Sequence, residues 1–155
     1  MLTAGACLNN GQENSKAGWA VVYGQGRDGK ASIDAGRLEN IGFLGDASRN
    51  GQTVHRAELQ AVIAALQSRA CNGEGFKTAV IATDSDYVTL GATVWAKKWV
   101  SKNWMKGNSM VKNRDLWETL LGEVDRLDES GIQVQFWRIQ KDGNAVANAA
   151  AKKAA

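Results

Sequence analysis

The sequence predicts a single α/β domain, because segments with strand periodicity and segments with helix periodicity alternate along its 155 residues. The length fits one domain, and 44% apolar with 23% charged residues is typical of a globular protein rather than a disordered one. The predicted order of elements is β-β-β-α-β-α-α-α-β-α, with no internal repeat and no linker. We therefore expect one domain over residues 1–155.

The first three predicted elements are strands. Residues 2–8 form a short alternating run, residues 18–23 have the composition of a buried strand, and residues 32–41 alternate as a third strand. The glycine-rich residues 24–29 are predicted to join the second and third strands as a turn. A phosphate-binding loop is disfavoured there, because the spacing matches no such pattern and no helix follows.

The remaining elements alternate between helix and strand. Thr53 has the properties of an N-cap, and apolar residues follow at helical spacing to about residue 70. Further elements are predicted as a compact buried strand at 78–83, helical stretches at 87–104, a helix at 113–128, a last strand at 132–139 and an alanine-rich helix at 145–154.

Several classes of protein are excluded by composition. No apolar run approaches the roughly 18 residues that cross a bilayer, and the N-terminus lacks the features of a signal peptide. The two cysteines, Cys7 and Cys71, are expected to be free thiols in a reducing compartment, and no zinc-binding spacing is present. We expect an intracellular protein, cytoplasmic or nuclear, that is neither secreted nor in a membrane.

One stretch of the chain is strongly basic although the net charge is only +3. Residues 95–114, called the basic segment below, contain no acid and carry six bases: Lys97, Lys98, Lys102, Lys106, Lys112 and Arg114. A solvated helical face is the plain interpretation of such a charge run. The interleaved Trp95, Trp99 and Trp104 favour contact with the phosphates of a nucleic acid, because lysines on an aromatic-stiffened ridge suit that role.

Two acids stand where a reaction site would form. Glu58 is in the first turn of the predicted long helix, and Asp84 directly follows a buried strand. Sites in α/β folds assemble at strand ends and at the adjacent helix starts, and carboxylates there can hold Mg²⁺. Either acid alone is as well explained by a helix-dipole or capping role.

Three motifs around these acids resemble those of the ribonuclease H family: Thr-Ala-Gly-Ala-Cys at 3–7, Arg-Ala-Glu-Leu at 56–59 and Thr-Asp-Ser-Asp-Tyr at 83–87. The basic segment and the adjoining residues 111–117 look like the basic handle of the type 1 enzymes. Residues 136–151 resemble the family's last strand and last helix, and the short turn between them looks fungal or retroelement-like. The resemblance covers nearly the whole chain.

The resemblance implies a ribonuclease H-like α/β fold, with a five-stranded mixed sheet flanked by helices. It also implies cleavage of the RNA strand of an RNA–DNA hybrid by two-metal hydrolysis with Mg²⁺ or Mn²⁺. Of the family's four carboxylate positions only Glu58 and Asp84 are acids here, because Ala4 and Asn148 occupy the other two. The histidine common before the last helix is also missing.

The two replacements differ in what they leave for a metal ion. Ala4 offers no oxygen, whereas Asn148 keeps one carbonyl oxygen, so the remaining metal ligands would be Glu58, Asp84 and Asn148. We expect weakened metal binding and an inactive or crippled catalytic site. Asp86 is disfavoured as a substitute because it is expected to point elsewhere, whereas Asp142 is a nearer candidate on a loop whose direction the sequence does not give.

The resemblance also implies contacts with the nucleic acid. Asn10 matches an asparagine that contacts the hybrid backbone, and His55 stands where polar residues touch the minor groove. For His55, an exposed polar residue before a helix is the favoured alternative. The full predicted substrate-binding set is Asn10, His55, Trp95, Lys97, Lys98, Trp99, Lys102, Trp104 and Lys106. Recognition would depend on groove shape and 2′-hydroxyl groups rather than base identity.

Three functions remain open at this point. The first is a domain that binds an RNA–DNA hybrid or double-stranded nucleic acid without cleaving it. The second is an active hybrid ribonuclease with an altered metal site, and the missing first-strand acid disfavours it. The third is a protein-interaction module on the same fold, which the basic segment disfavours because such a module has no need of it.

Overall fold

The structure is a computed structural model that describes residues 1–25, 30–39, 51–68 and 75–155. Most of the predicted turn at 24–29, residues 40–41 of the predicted third strand, the predicted end of the first helix at 69–70 and Cys71 lie outside these residues. The described strands are β1 (Leu2–Leu8), β2 (Lys16–Gln25), β3 (Ala31–Arg37), β4 (Thr78–Thr83), β5 (Met105–Lys106), β6 (Ser109–Met110) and β7 (Gln133–Arg138).

Five of these strands form one mixed sheet in the order β3-β2-β1-β4-β7. The three strands β1, β2 and β3 pair antiparallel, whereas β4 runs parallel to both β1 and β7. Thr3 of β1 pairs with Thr83 of β4, so the carboxyl end of β4 lies beside the first half of β1. This confirms the predicted five-stranded mixed sheet of the ribonuclease H-like fold.

Helices cover both faces of the sheet. They are α1 (Val54–Gln67), α2 (Asp86–Leu90), α3 (Ala96–Ser101), α4 (Arg114–Glu129) and α5 (Ala145–Ala154), with a π-helical turn at Gly91–Trp95 and a 3₁₀ turn at Lys141–Asn144. One face of the sheet packs on α1, which also packs on α4, and α5 packs on β1, β2 and β3. No helix among the described residues is long and apolar enough to span a membrane.

The predicted elements agree with the structure, with three differences. The third strand ends at Arg37, so residues 38 and 39 of the predicted strand are not part of it. Residue 104 is not helical, because α3 ends at Ser101 and the chain turns into a two-stranded hairpin of β5 and β6. The hairpin was not predicted, since strands of two residues are too short to show a periodicity. The N-cap role of Thr53 is confirmed, because its Oγ1 accepts a hydrogen bond from the Arg56 amide N–H at 3.3 Å.

Helix α1 approaches β1 unusually closely at Gly5. A Cβ atom at this position would lie 2.3 Å from the backbone nitrogen of Glu58, which is far inside van der Waals contact. Only glycine allows the two backbones to meet at this distance. The contact places the backbone of Glu58 against β1 at the residue that follows Ala4.

A buried ion pair ties α1 to α4. Arg56 donates two parallel hydrogen bonds to the Asp115 carboxylate, at 2.9 and 2.7 Å, and its side chain is 7% exposed. Burial alone would raise the pKa of Asp115, but the Arg56 guanidinium outweighs that effect and holds the pKa below its usual range. The pair therefore stabilises the fold at pH values above the ordinary aspartate pKa of about 3.9.

Replacing Arg56 by methionine should lower the free energy of unfolding by about 3 kcal/mol, because it leaves the Asp115 carboxylate partly buried without its partner. Urea unfolding at neutral pH measures this loss. The loss should shrink as the pH falls below about 4, since protonation of Asp115 removes the same interaction. Arg114→Met is the matched control and should cost about 1 kcal/mol or less, because Arg114 pairs with Glu118 at the surface. Equal losses for both variants would contradict the assignment.

Candidate functional site

The four positions that the resemblance singles out meet at the carboxyl end of β4. Asp84 directly follows this strand, and Ser85 caps the N-terminus of α2. Ala4 lies buried in the neighbouring β1, Glu58 is held against that strand by the Gly5 contact, and α5 brings Asn148 within hydrogen-bond distance of Asp84. The sequence placed these residues in separate motifs, and the fold brings them together.

Two asparagine side chains surround the Asp84 carboxylate. The Asn144 Nδ2 group donates to Asp84 Oδ1 at 2.5 Å and to the backbone oxygen of Thr3 at 2.9 Å. The Asn148 Nδ2 group donates to Asp84 Oδ2 at 3.2 Å. Both oxygens of the carboxylate therefore accept an amide hydrogen, and this anion is satisfied by neutral donors.

Glu58 has a separate set of partners. Its Oε2 atom accepts a hydrogen bond from the Ser85 hydroxyl at 2.8 Å and lies 3.1 Å from His55 Nδ1. Burial raises the pKa of Glu58, and this effect outweighs the hydrogen bonds from His55 and Ser85 that favour the charged form. The retained glutamate is thus less readily ionised than an exposed one.

These residues do not fit a pair of metal ions. Ala4 supplies no oxygen, and Asn148 turns its N–H donor, not its carbonyl oxygen, toward Asp84. No group of three or more His, Cys, Asp or Glu side chains that could hold a metal ion lies in the described part of the chain. A hard divalent cation needs several oxygen ligands, and this donor set offers two separated carboxylates that already have partners.

His55 is exposed, but its ring packs on an aromatic scaffold formed by Tyr87 and Trp117. Its ring stacks on Tyr87, with centroids 4.1 Å apart and an interplanar angle of 27°. The Tyr87 hydroxyl accepts hydrogen bonds from Trp117 Nε1 at 2.9 Å and from Asn113 Nδ2 at 3.1 Å. The scaffold fixes an exposed histidine beside Glu58.

Asn10 lies near the same end of α1, since its Oδ1 accepts a hydrogen bond from the Val54 backbone N–H at 3.3 Å.

The basic segment combines exposed lysines with a row of contacting tryptophan rings, of which only Trp104 is buried. Trp99 lies between Trp95 and Trp104, with ring centroids 5.8 and 6.2 Å away, and Trp104 is only 6% exposed. Trp104 therefore packs in the core and has no free ring face to offer a substrate, in contrast to its predicted place in the substrate-binding set. The exposed bases of the segment are Lys97, Lys98, Lys102, Lys106 and Lys112.

Sequence reasoning missed three residues of this site. Asn144 and Ser85 hydrogen-bond the two acids directly, and Tyr87 supports His55. Asn144 precedes Asn148 by four residues, a spacing that places both amides on one face where a helix begins. That spacing could have indicated Asn144 from the sequence. The contacts of Ser85 and Tyr87 involve residues of α1, which are distant in sequence, so no local pattern indicates them.

The fold is an α/β domain with a five-stranded mixed sheet, and comparison with known proteins gives its family. The family model of RNase H matches residues 1–155. Ribonuclease H of Cyanothece sp. is 33% identical over 144 residues, covering 92% of this chain and 78% of the relative. Ribonuclease H of Treponema pallidum is 34% identical over 128 residues, covering 82% and 73%. The chain belongs to the ribonuclease H family, whose enzymes use divalent metal ions.

Solved structures agree on the fold. A foamy viral protease–reverse transcriptase in complex with an RNA/DNA hybrid superposes with a TM-score of 0.70 at 20% identity, covering 99% of this chain and 19% of that one. The chain thus spans about a fifth of that viral protein. LC9-RNase H1, described as a type 1 RNase H with the type 2 active-site motif, gives a TM-score of 0.66 at 24% identity, covering 99% of this chain and 70% of that one.

Tyr87→Phe should lower the free energy of unfolding by about 1 to 3 kcal/mol, because the N–H groups of buried Trp117 and partly buried Asn113 lose their shared acceptor. Thermal or urea unfolding measures the effect. His55→Ala removes only the exposed half of the stack and should cost less than about 1 kcal/mol. A Tyr87→Phe protein as stable as the original would show that the hydroxyl does not hold this scaffold.

Proposed function

We propose that this domain binds RNA–DNA hybrid or double-stranded nucleic acid and does not cleave it at a useful rate. The observation that carries the proposal is the Asp84 carboxylate, whose two oxygens accept hydrogen bonds from the N–H groups of Asn144 and Asn148. In the proposed site Glu58 and Asp84 are the retained catalytic acids, and Ala4 and Asn148 occupy the positions of the lost ones.

Loss of cleavage follows from the chemistry of the two-metal reaction. That reaction needs carboxylates to hold both ions, one beside the attacking water and one beside the leaving oxygen. Ala4 removes an anionic ligand from the centre of the site, and the pKa of Glu58 is raised by burial, so two ions would meet a weakly charged donor set. Metal binding by Glu58, Asp84 and Asn148 is therefore weakened.

Binding of nucleic acid is supported by the residues at the start of α1 and by the basic segment. Asn10 contacts the start of α1, His55 lies in its first turn, and Tyr87 holds the His55 ring in place. The exposed lysines of the basic segment are close in sequence to the contacting tryptophan rings, and exposed bases of this kind suit phosphate contacts. Trp95 and Trp99, which are partly buried, act as this support.

The type 1 subclass with a fungal or retroelement-like ending is part of the proposal. Its support is the basic segment and the short connection after β7, where the 3₁₀ turn at Lys141–Asn144 leads directly into α5. The proposal leaves two alternatives for experiment, namely an active ribonuclease with an altered metal site and a protein-interaction module. Asp86 does not support the first, because its carboxylate is 71% exposed and pairs with Arg138 at 2.7 Å.

A labelled RNA–DNA hybrid incubated with the protein in Mg²⁺ or Mn²⁺ should stay intact on a denaturing gel. Ala4→Asp combined with Asn148→Asp should restore cleavage, because it returns two carboxylates to a site whose other two are in place. Adding Asp84→Asn to this pair serves as the control and should abolish the restored activity. Cleavage by the unmodified chain that is lost on Asp84→Asn would favour the altered-metal alternative. A folded but inactive double variant would contradict the proposed residue roles.

Binding to the same hybrid should weaken with salt, with log K falling by about 0.9 per neutralised phosphate for each unit of log salt. Lys97→Glu with Lys98→Glu should weaken binding by at least about tenfold and reduce this slope. Lys152→Glu with Lys153→Glu is the matched control, since these lysines are exposed on α5, and should change binding far less. Fluorescence anisotropy measures both quantities. Equal effects of the two pairs, or no binding at low salt, would contradict the proposed interface.

A further inference from the structure

We propose that Asp84 acts in this chain as a structural carboxylate that fastens α5 and β1 to the end of β4 without a metal ion. This role goes beyond the proposed binding function. It assigns to a retained acid a task that differs from metal binding, and it concerns the stability of the domain whether or not the domain binds nucleic acid.

The geometry around Asn144 is the first support. This residue is fully buried, and the two N–H groups of its single amide are divided between Asp84 and the backbone oxygen of Thr3. If the Asn144 amide were turned over, its oxygen would face the Asp84 carboxylate and the Thr3 carbonyl oxygen, which are both acceptors. These two acceptors therefore require the Nδ2 group of Asn144 at this position. Asn144 thereby joins the end of β4 to the start of β1.

Asn148 supplies the second connection, from the first turns of α5. Its amide donates to the other Asp84 oxygen, so one carboxylate is held by two donors from a short stretch of chain. Both contacts are distant in sequence, since 60 and 64 residues separate the partners. Hydrogen bonds to an ionised acceptor are roughly twice as strong as those between neutral groups.

The same contacts explain why no cation is needed here. Carboxylates crowded into one site repel one another, and a bound cation is the usual way to offset that repulsion. An aspartate at position 148 would set a second negative charge against Asp84, whereas Asn148 presents an N–H group. Ala4 adds no charge. Asp84 is therefore held by the amides of Asn144 and Asn148, and the Arg138 guanidinium is the nearby positive charge.

Thermal unfolding in EDTA tests this role. Asp84→Asn should lower Tm by at least about 5 °C, because an amide accepts fewer of the two donated hydrogen bonds and sets its own N–H against them. Asp142→Asn removes the same charge from an exposed position on the neighbouring 3₁₀ turn and should leave Tm nearly unchanged. A Tm of Asp84→Asn at or above that of the unmodified protein would overturn the proposal.

Two further measurements keep the test decisive if Asp84→Asn does not fold. Asn148→Ala removes one of the two donors and should lower Tm by about 2 °C or more in EDTA. Millimolar Mg²⁺ should leave the Tm of the unmodified protein unchanged. A stabilised Asn148→Ala protein, or a Tm that rises by about 3 °C or more with Mg²⁺, would show that Asp84 is a metal ligand whose charge is otherwise unbalanced.

These results are separable from the proposed function. A protein that binds no hybrid but loses stability on Asp84→Asn would refute the binding proposal and leave the structural role standing. A protein that binds hybrid and becomes more stable on Asp84→Asn would support the binding proposal and refute the structural role of Asp84.

Discussion

The close contact between β1 and α1 at Gly5 is the constraint on which the site depends. Because no Cβ atom intervenes, the α1 backbone at Glu58 rests directly on the strand at Gly5. The same placement puts the start of α1 next to Asn10, and it brings Arg56 to Asp115 and His55 to Tyr87. A larger residue at position 5 would displace all of these contacts together.

The sequence predicted most of this framework because its signals are local. The alternation in β1, the capping Thr53 and the alanine-rich α5 each mark an element through neighbouring residues, and the structure has them within a few residues of the predicted bounds. The grouping of positions 4, 58, 84 and 148 came from motifs that resemble a family. Their proximity is a property of the fold that those motifs share.

Other features depend on contacts that no local pattern encodes. The π-helical turn begins at Gly91, where a Cβ atom would lie 2.1 Å from the ring of Trp117, so a residue of α4 leaves no room for a side chain there. The inward position of Trp104 is another case, because its sequence neighbours suggested an exposed ridge. Asn144 is a third, since its role needs the ends of β1 and β4 to meet.

The amide donors at Asp84 also change the electric field that an approaching phosphate would meet. A site with four ionised carboxylates repels a phosphate until cations bind, and a pair of unit charges about 5 Å apart at an effective dielectric constant of about 20 interacts by roughly 3 kcal/mol. Here two of the four positions carry no charge, and the N–H groups of Asn144 and Asn148 point at one of the remaining acids. With Ala4 and Asn148 uncharged, this end of the sheet repels a nucleic-acid phosphate less than a site with four carboxylates would.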